Sequence, residues 1–496
     1  MKPILSAEEM RACDQATIEK HKVPSLVLME RAAGAVANFI IDKYPESNQI
    51  CVLCGPGNNG GDGVAIARLL YLAGRQVITV LMSEKEKFSG QLKEEIEIAE
   101  SYGMDFVNGY DESAIGSSDL YVDAMFGIGL TRGLSGDYLQ AAKKINESEK
   151  PVVAVDIPSG YHTDCGKLLG EAGVIASHTI TFAYMKKGLV LGECKGASGE
   201  VHVVDVGIYL DDTEDKAMVL EEEDLKILPK RKPTANKGSC GKILIIGGSE
   251  NIYGALYLSA KAALTAGAGL TKVFTHKNNI ESIRQSIPEA MFYGYEGFEE
   301  DKLIESIDWA DVILMGPGLS TGEIPEEIVT TVLEKATVPL IIDADGINIC
   351  ANKKEALIKY AKDTPVIITP HLKEMERLTD IPVKDINYDM ESIAYNFSLK
   401  TGITVVLKNF TTVIAAKEKI FYSTSGNEAL ATPGSGDVLA GIITSFVAQG
   451  FKVEDCGAIG AFFHGLCGKL ISQDVGIKSL LASDIIEGIK IINVLT

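Results

Sequence analysis

The stretch Ala431-Thr432-Pro433-Gly434-Ser435-Gly436-Asp437-Val438-Leu439-Ala440-Gly441 changes character in its middle. Up to Gly436 it is turn material, with glycines that admit positive φ and let a ligand approach the backbone. From Asp437 onward apolar residues recur at helical spacing, as Val438, Leu439, Ile442, Ile443, Phe446 and Val447. A glycine loop feeding a helix start aims unpaired N–H groups at one point, where the helix dipole favours an anion. Asp437 then has two readings. It caps the helix, which the stretch alone slightly favours, or it takes a proton from a hydroxyl reacting at a phosphate.

The 49 glycines of the chain fit an α/β protein with many such strand–helix turns. Its 496 residues exceed one ordinary core, so two domains are expected. A net charge of −21 argues against nucleic acid or an anionic membrane as the main partner, and leaves any anionic ligand to glycine loops and single lysines. The nine cysteines suggest neither a disulfide framework nor a zinc site. The opening residues carry no apolar run of signal-peptide length and no run approaches a membrane span, so a soluble cytoplasmic protein is expected.

In chain order, Ser6-Ala7-Glu8-Glu9 reads as a capping box opening a helix to about Lys20, and a second helix follows Pro24. Strand Gln49–Cys54 then runs into Gly55-Pro56-Gly57-Asn58-Asn59-Gly60-Gly61-Asp62-Gly63, with a helix expected over Val64–Leu72. Five glycines in nine residues, with two Asn and an Asp, favour a ligand loop at a parallel strand end over a plain turn. It is not the GxGxxG fingerprint, because Asn58-Asn59 hold the middle. Further strands are expected at Gln76–Met82, Asp119–Met125, Pro151–Val155, His178–Ala183 and Val201–Val206. Three strand ends thus carry polar loops at Asn59/Asp62, at Asp123 to Gly133 and at Asp156/Ser159. Converging on one sheet edge, they suit a hard cation plus a ligand.

The acidic Asp211–Asp215 and Glu221–Asp224, followed by the basic Pro229–Pro233, read as a solvated linker. Strand Gly241–Ile246, a helix over Ala255–Ala266 and strands at Leu270–Thr275, Asp311–Met315, Pro339–Ile342, Val366–Thr369 and Thr404–Lys408 form a second alternating series. A hairpin, Thr412–Ala416 with Ile420–Ser423, precedes the glycine stretch. No Walker-type motif occurs, so a phosphate would be held differently. Asp343 and Asp345 read equally as a magnesium pair or as caps of the helix at Gly346. His371, after a strand and a proline, is read as lining a pocket, against the alternative of a satisfied structural histidine.

The motifs Gly55–Gly63, Asp123–Gly129 and Val155-Asp156-Ile157-Pro158-Ser159-Gly160 together resemble the epimerase half of the NAD(P)H-hydrate repair enzymes. Ile246–Ser249, Tyr253-Gly254-Ala255, Gly316–Leu319, Thr369-Pro370-His371 and Thr432–Asp437 resemble the dehydratase half, which is similar to the ribokinase-like superfamily. The likeness spans nearly the whole chain in the bifunctional bacterial order. It implies two doubly wound three-layer α/β/α domains, Rossmann-like over 1–215 and ribokinase-like over 225–496. It also implies epimerisation of the R and S hydrates NADHX and NADPHX, then dehydration of the S form at the expense of ADP.

By the same resemblance Asn58, Asn59, Gly60, Gly61 and Asp62, with Gly127, Ile128, Gly129, Leu130, Thr131, Arg132 and Gly133, hold the hydrate, and Asp156 is the acid/base of epimerisation. Asn59, Asp123 and Ser159 bind potassium. Ala255, Gly318 and His371 line the second hydrate pocket, and ADP lies on Lys408, Asn409, Phe410, Thr411, Thr412, Asn427, Gly434, Ser435 and Gly436, with magnesium. Asp437 is the base that frees the hydrate hydroxyl. Asn409 stands where the family commonly has Gly, a position that Asn suits through its tolerance of left-handed backbone. Ala429-Leu430 replace a Gly-Met-like pair. Small-molecule substrates, no nucleic acid, no membrane and a homo-oligomer are expected. The competing readings are a ribokinase-like small-molecule kinase fused to a ligand-binding Rossmann-like domain, and a nucleotide-sensing scaffold without chemistry. The kinase has no need of the Asn58-Asn59 loop or the Asp156–Ser159 strand end, and the scaffold has none of Asp156 and Asp437.

Overall fold

The computed structural model describes residues 1–211, 216–228, 231 and 233–495. The expected linker falls partly on 212–215, 229, 230 and 232, which lie outside the described residues. The chain divides into two compact units, Pro3–Lys216 and Ala217–Thr496 with Met1–Lys2.

In the first unit, apolar strands buried on both faces build an all-parallel sheet with helices on its faces. Its spatial order is Phe106–Asn108, Gln76–Leu81, Gln49–Cys54, Leu120–Ala124, Val152–Val155, His178–Phe182 and Glu200–Val204. The chain leaves Gln49–Cys54 toward one edge and returns to its other side at Leu120–Ala124, in register Cys54 with Ala124. That reversal opens a crevice beyond the carboxyl ends of the two strands, between the loops starting at Gly55 and Met125. The Ser6 capping box forms as read, over a helix Ala7–Glu19, and the second helix runs Ser25–Lys43.

The second unit repeats the logic. Met291–Tyr295, Leu270–His276, Lys242–Ile246, Val312–Met315, Leu340–Ile342, Val366–Ile368 and Thr404–Leu407 lie parallel. The hairpin Thr412–Ala416 with Lys419–Ser423 continues antiparallel, followed by Ala217–Val219. Here the reversal lies between Lys242–Ile246 and Val312–Met315. Helix Ser435–Ala448 is apolar nearly all round and sits in the core, against helix Gly254–Thr265. Gly441 permits this approach, since a Cβ there would stand 2.3 Å from the Ser259 carbonyl oxygen.

Several expectations change. The helix after Gln49–Cys54 starts at Asn58, not Val64, so Asn58 to Asp62 form its first turns rather than a loop. Glycine disfavours helices, but packing requires it here. A Cβ on Gly60 would lie 1.9 Å from the Gly55 oxygen, and one on Gly63 would lie 2.6 Å from the Ala124 Cβ. Strands Phe106–Asn108, Met291–Tyr295 and Ala217–Val219 were not expected from the sequence, being short or only partly buried. Cys51 and Cys54 do stand at C-x-x-C spacing, yet an odd offset on a strand sends them to opposite faces. Both are buried, free thiols in separate core clusters. Among the described residues no helix is long and apolar enough to cross a membrane.

Candidate active sites

The crevice of the first unit is a cavity of about 570 Å³, within the size range of small-molecule sites. Asn58, Asn59, Asp62, Gly127, Ile128, Gly129, Leu130 and Asp156 line it. Gly60 and Gly61 are buried outside this lining, packed on the Gly55 backbone and the Met29 side chain. Thr131 and Arg132 are exposed, and Gly133 packs on Leu169 and Gly170.

Asp156 is held in left-handed backbone, φ 70°, a strained state for a non-glycine residue. Its carboxylate accepts from the Thr181 hydroxyl at 3.0 Å and pairs at 2.5 Å with Lys186. Lys186 is fully buried and also donates to Thr181 Oγ1 at 2.9 Å and the Phe182 carbonyl at 2.8 Å. Burial pushes Asp62 well above the usual carboxylate range, and the charges of Asp156, Glu95 and Asp14 add to it. Asp14 is raised for the same two reasons, burial and then Asp156. The cavity therefore presents one carboxylate anchored to an ammonium beside others driven toward the protonated form. Sequence reasoning missed Lys186, Asp14 and Arg11. The first helix reads as an ordinary capped helix, and only the fold brings the Arg11 guanidinium to the Ile128 carbonyl at 3.0 Å.

Below the cavity floor Asp123 is completely buried and its pKa rises to about 6, because burial outweighs three hydrogen bonds. The donors are Ser159 N and Oγ, both at 2.7 Å, and Met125 N at 3.2 Å. Ser159 Oγ also accepts from Phe126 N at 2.9 Å. The Asn59 side-chain amide nitrogen is buried without a partner, with its oxygen against Gly127.

In the second unit the helix start takes shape at Gly434, which adopts φ 89° as the N-cap. Asp437 sits in the first turn, not at the cap, so the capping reading lacks its geometry. Desolvation and the charges of Asp343 and Glu374 lift its pKa to about 7 against the pull of Lys408. Lys408 Nζ reaches Asp343 Oδ1 at 2.8 Å and lies 3.0 Å from where a Gly436 Cβ would be. Gly436 thus keeps open the space that Lys408 occupies. Burial pulls the Lys408 pKa down, but the surrounding Asp343, Glu374 and Asp437 outweigh it.

Other predicted residues have structural partners. Ser435 Oγ meets His464 Nε2 at 3.2 Å, and burial lowers that histidine to about 4. Asn427 caps the turn Glu428–Leu430 and donates to Ser472 at 2.9 Å. Asn409 bonds Asn387 at 2.8 Å and is not left-handed, so the freedom of a glycine is not required there. Phe410 is exposed, Thr411 buried, and Thr412 begins the hairpin. Gly318, φ 63°, faces Ala255, whose Cβ would be 3.4 Å from its own.

His371 is half-exposed and caps helix Leu372–Thr379, its Nδ1 accepting from Lys373 N and Glu374 N at 3.1 and 3.2 Å. Glu374 answers by accepting from His371 N at 2.8 Å, and burial raises its pKa to about 7. Asp343 and Asp345 do not form a pair. Asp343 is taken by Lys408 and by the Thr369 hydroxyl at 2.7 Å, whereas Asp345 accepts from Ser320 N at 2.8 Å.

The first carboxylate site thus lies beside the switch point of its sheet, and the second lies past the carboxyl ends of Leu340–Ile342 and Thr404–Leu407. Residues 243–490 match a family model described as NAD(P)H-hydrate dehydratase, and residues 25–188 one described as YjeF-related protein N-terminus. A bifunctional NAD(P)H-hydrate repair enzyme of Escherichia coli (strain K12) is 34% identical over 491 residues, covering 98% of this chain and 92% of that protein. One from Thermofilum pendens is 34% identical over 491 residues, covering 95% and 93%. A solved ribokinase-like superfamily protein of Enterococcus faecalis V583 superposes with a TM-score of 0.51 at 30% identity, covering 57% of this chain and 97% of that one. With the match running through both units, the chain belongs to the family of bifunctional NAD(P)H-hydrate repair enzymes.

Proposed function

We propose that the first unit epimerises the R and S hydrates of NADH and NADPH in the cavity at Asp156, and that the second dehydrates the S form with ADP at Asp437. The observation that carries this is the half-buried carboxylate of Asp437, with a pKa of about 7, in the first turn of a helix opened by Gly434 and facing Lys408. A base of that strength is half ionised near neutrality, where proton abstraction is most effective. Asp437 takes the proton from the hydrate hydroxyl as its oxygen bonds to the terminal phosphorus of ADP, and AMP leaves. The carbon–oxygen bond then breaks, phosphate departs with the electron pair, and loss of a ring proton restores the double bond. The Gly434–Gly436 turn and the helix start receive phosphate oxygens, and the Lys408 ammonium, fixed by Asp343, neutralises charge developing between them.

Magnesium bound with the nucleotide would neutralise phosphate charge. Since Asp343 is already paired with Lys408, the residues suit an ion held mainly by the phosphates, with Asp437 alongside. In the first unit, Asp156, fixed by Lys186 and Thr181, takes the hydrate hydroxyl proton as the ring carbon–nitrogen bond opens to an aldehyde. Asp62, raised by burial, gives a proton to that nitrogen, and reclosure on the other face with the protons returned inverts the carbon. The oxygens of Asp123, Ser159 and Phe126, with the Asn59 amide oxygen against Gly127, are an oxygen-only donor set that suits potassium. That ion would supply positive charge under the substrate. The chain is proposed to work in the cytoplasm and as a homo-oligomer.

The test is recovery of reduced-nicotinamide absorbance from S-hydrate with ADP, with ATP and with neither, and R/S interconversion with and without potassium. No recovery with either nucleotide would refute the dehydratase assignment.

A further inference from the structure

We propose that His178, His202 and Glu200 form a site for a tetrahedral divalent transition metal of the zinc class, remote from the epimerase cavity. Strands His178–Phe182 and Glu200–Val204 are parallel neighbours, with His178 in register with Glu200 and Ile180 with His202. The two-residue period of a strand puts Glu200 and His202 on one face, and pairing sets His178 beside them. His178 Nδ1 is 3.2 Å from His202 Nε2 and 3.4 Å from Glu200 Oε2, and the last two atoms are 3.8 Å apart. A metal with bonds of about 2.0–2.1 Å in tetrahedral array spaces its ligand atoms about 3.3–3.4 Å apart. The observed triangle is close to one face of that tetrahedron. Glu200 is exposed, so water completes the fourth corner.

The surroundings suit a cation. Phe39 packs on both imidazoles, with ring centroids at 5.0 and 4.7 Å, and fixes their planes. Tyr44, at the C-terminal end of helix Ser25–Lys43, packs edge-on 5.9 Å from His178 and completes the aromatic wall.

His178 opens its strand, whereas Thr181 and Phe182 at the other end hold Asp156 and Lys186. At about 3.3 Å per residue the metal lies roughly 10 Å from that chemistry. Its role is to pin the edge strand Glu200–Val204 to the sheet.

The experiment uses the tag-free full-length chain, stripped with a chelator and titrated with Co²⁺, then Zn²⁺. The expected result is one Co²⁺ per chain with the visible absorption of a tetrahedral ion, displaced by Zn²⁺, and a melting temperature that rises with Zn²⁺. His202→Ala should lose the band and the thermal shift while epimerisation and dehydration keep their rates. Glu200→Gln, at an exposed position that folding does not need, should weaken the metal by about tenfold or more. A stripped wild type that gives no tetrahedral band would overturn the proposal, and the two imidazoles would then simply share a proton. Wild-type affinity in both variants would overturn it equally.

Discussion

Replacing Asp437 by Asn separates a catalytic base from a structural acid in two independent ways. The amide keeps the shape and an acceptor but carries no proton away, so dehydration should fall by ~10²-fold or more. ADP should bind as well or slightly tighter, with one negative charge fewer beside its phosphates. Stability should move the other way. The folded carboxyl has a pKa of about 7 against an ordinary 3.8. A raised carboxyl pKa means that the fold takes up a proton, so this contribution is intact below about pH 4 and lost as pH rises through about 7. At about 1.4 kcal/mol per unit, the ionised Asp437 costs the fold at most about 4 kcal/mol above neutrality. Asp437→Asn should therefore melt higher than wild type at about pH 8 and converge with it near pH 4. In the wild type, dehydration should fall about tenfold from pH 8 to pH 6 as the base is protonated. S-hydrate turnover, ADP affinity and melting curves on one preparation test all of this. Near-normal turnover with normal ADP affinity, or a variant that melts lower at pH 8, would refute the reasoning.

Asp123→Ala should slow epimerisation and abolish its response to potassium, with S-hydrate dehydration unchanged; a wild-type potassium response would remove the ion from this place. Lys186→Met leaves Asp156 beside Thr181 without its ammonium. Breaking such a pair should cost about 3–5 kcal/mol by denaturant unfolding of the first unit and reduce epimerisation. Gly434→Ala places a Cβ 2.4 Å from the Leu258 Cδ1 at a φ of 89°. Unfolding should show a loss of at least about 1 kcal/mol, and ADP affinity should fall because the phosphate turn is displaced.

The sequence by itself determined the alternation of buried strands, glycine turns and helices, because burial on both faces leaves long apolar runs and every βα turn needs small residues. Gln49–Cys54 is read to the residue, and the Ser6 capping box is local chemistry that needs no partner. The motif glycines at 55–63 and 434–436 were equally legible, but their reason was not. Gly63 is required by Ala124, and Gly436 by Lys408, residues outside either motif. Only the tertiary structure could show that Asp437 stands past the cap, with a pKa lifted by burial and by Asp343 and Glu374 against Lys408, residues brought in from elsewhere in the chain. It likewise turned His371 into a cap, divided Asp343 from Asp345 and brought Lys186 to Asp156. The His178–His202–Glu200 triangle has no sequence signature, since strand pairing across 24 positions creates it. Local pattern fixes which elements form, whereas charge and coordination depend on distances that pairing and packing alone establish.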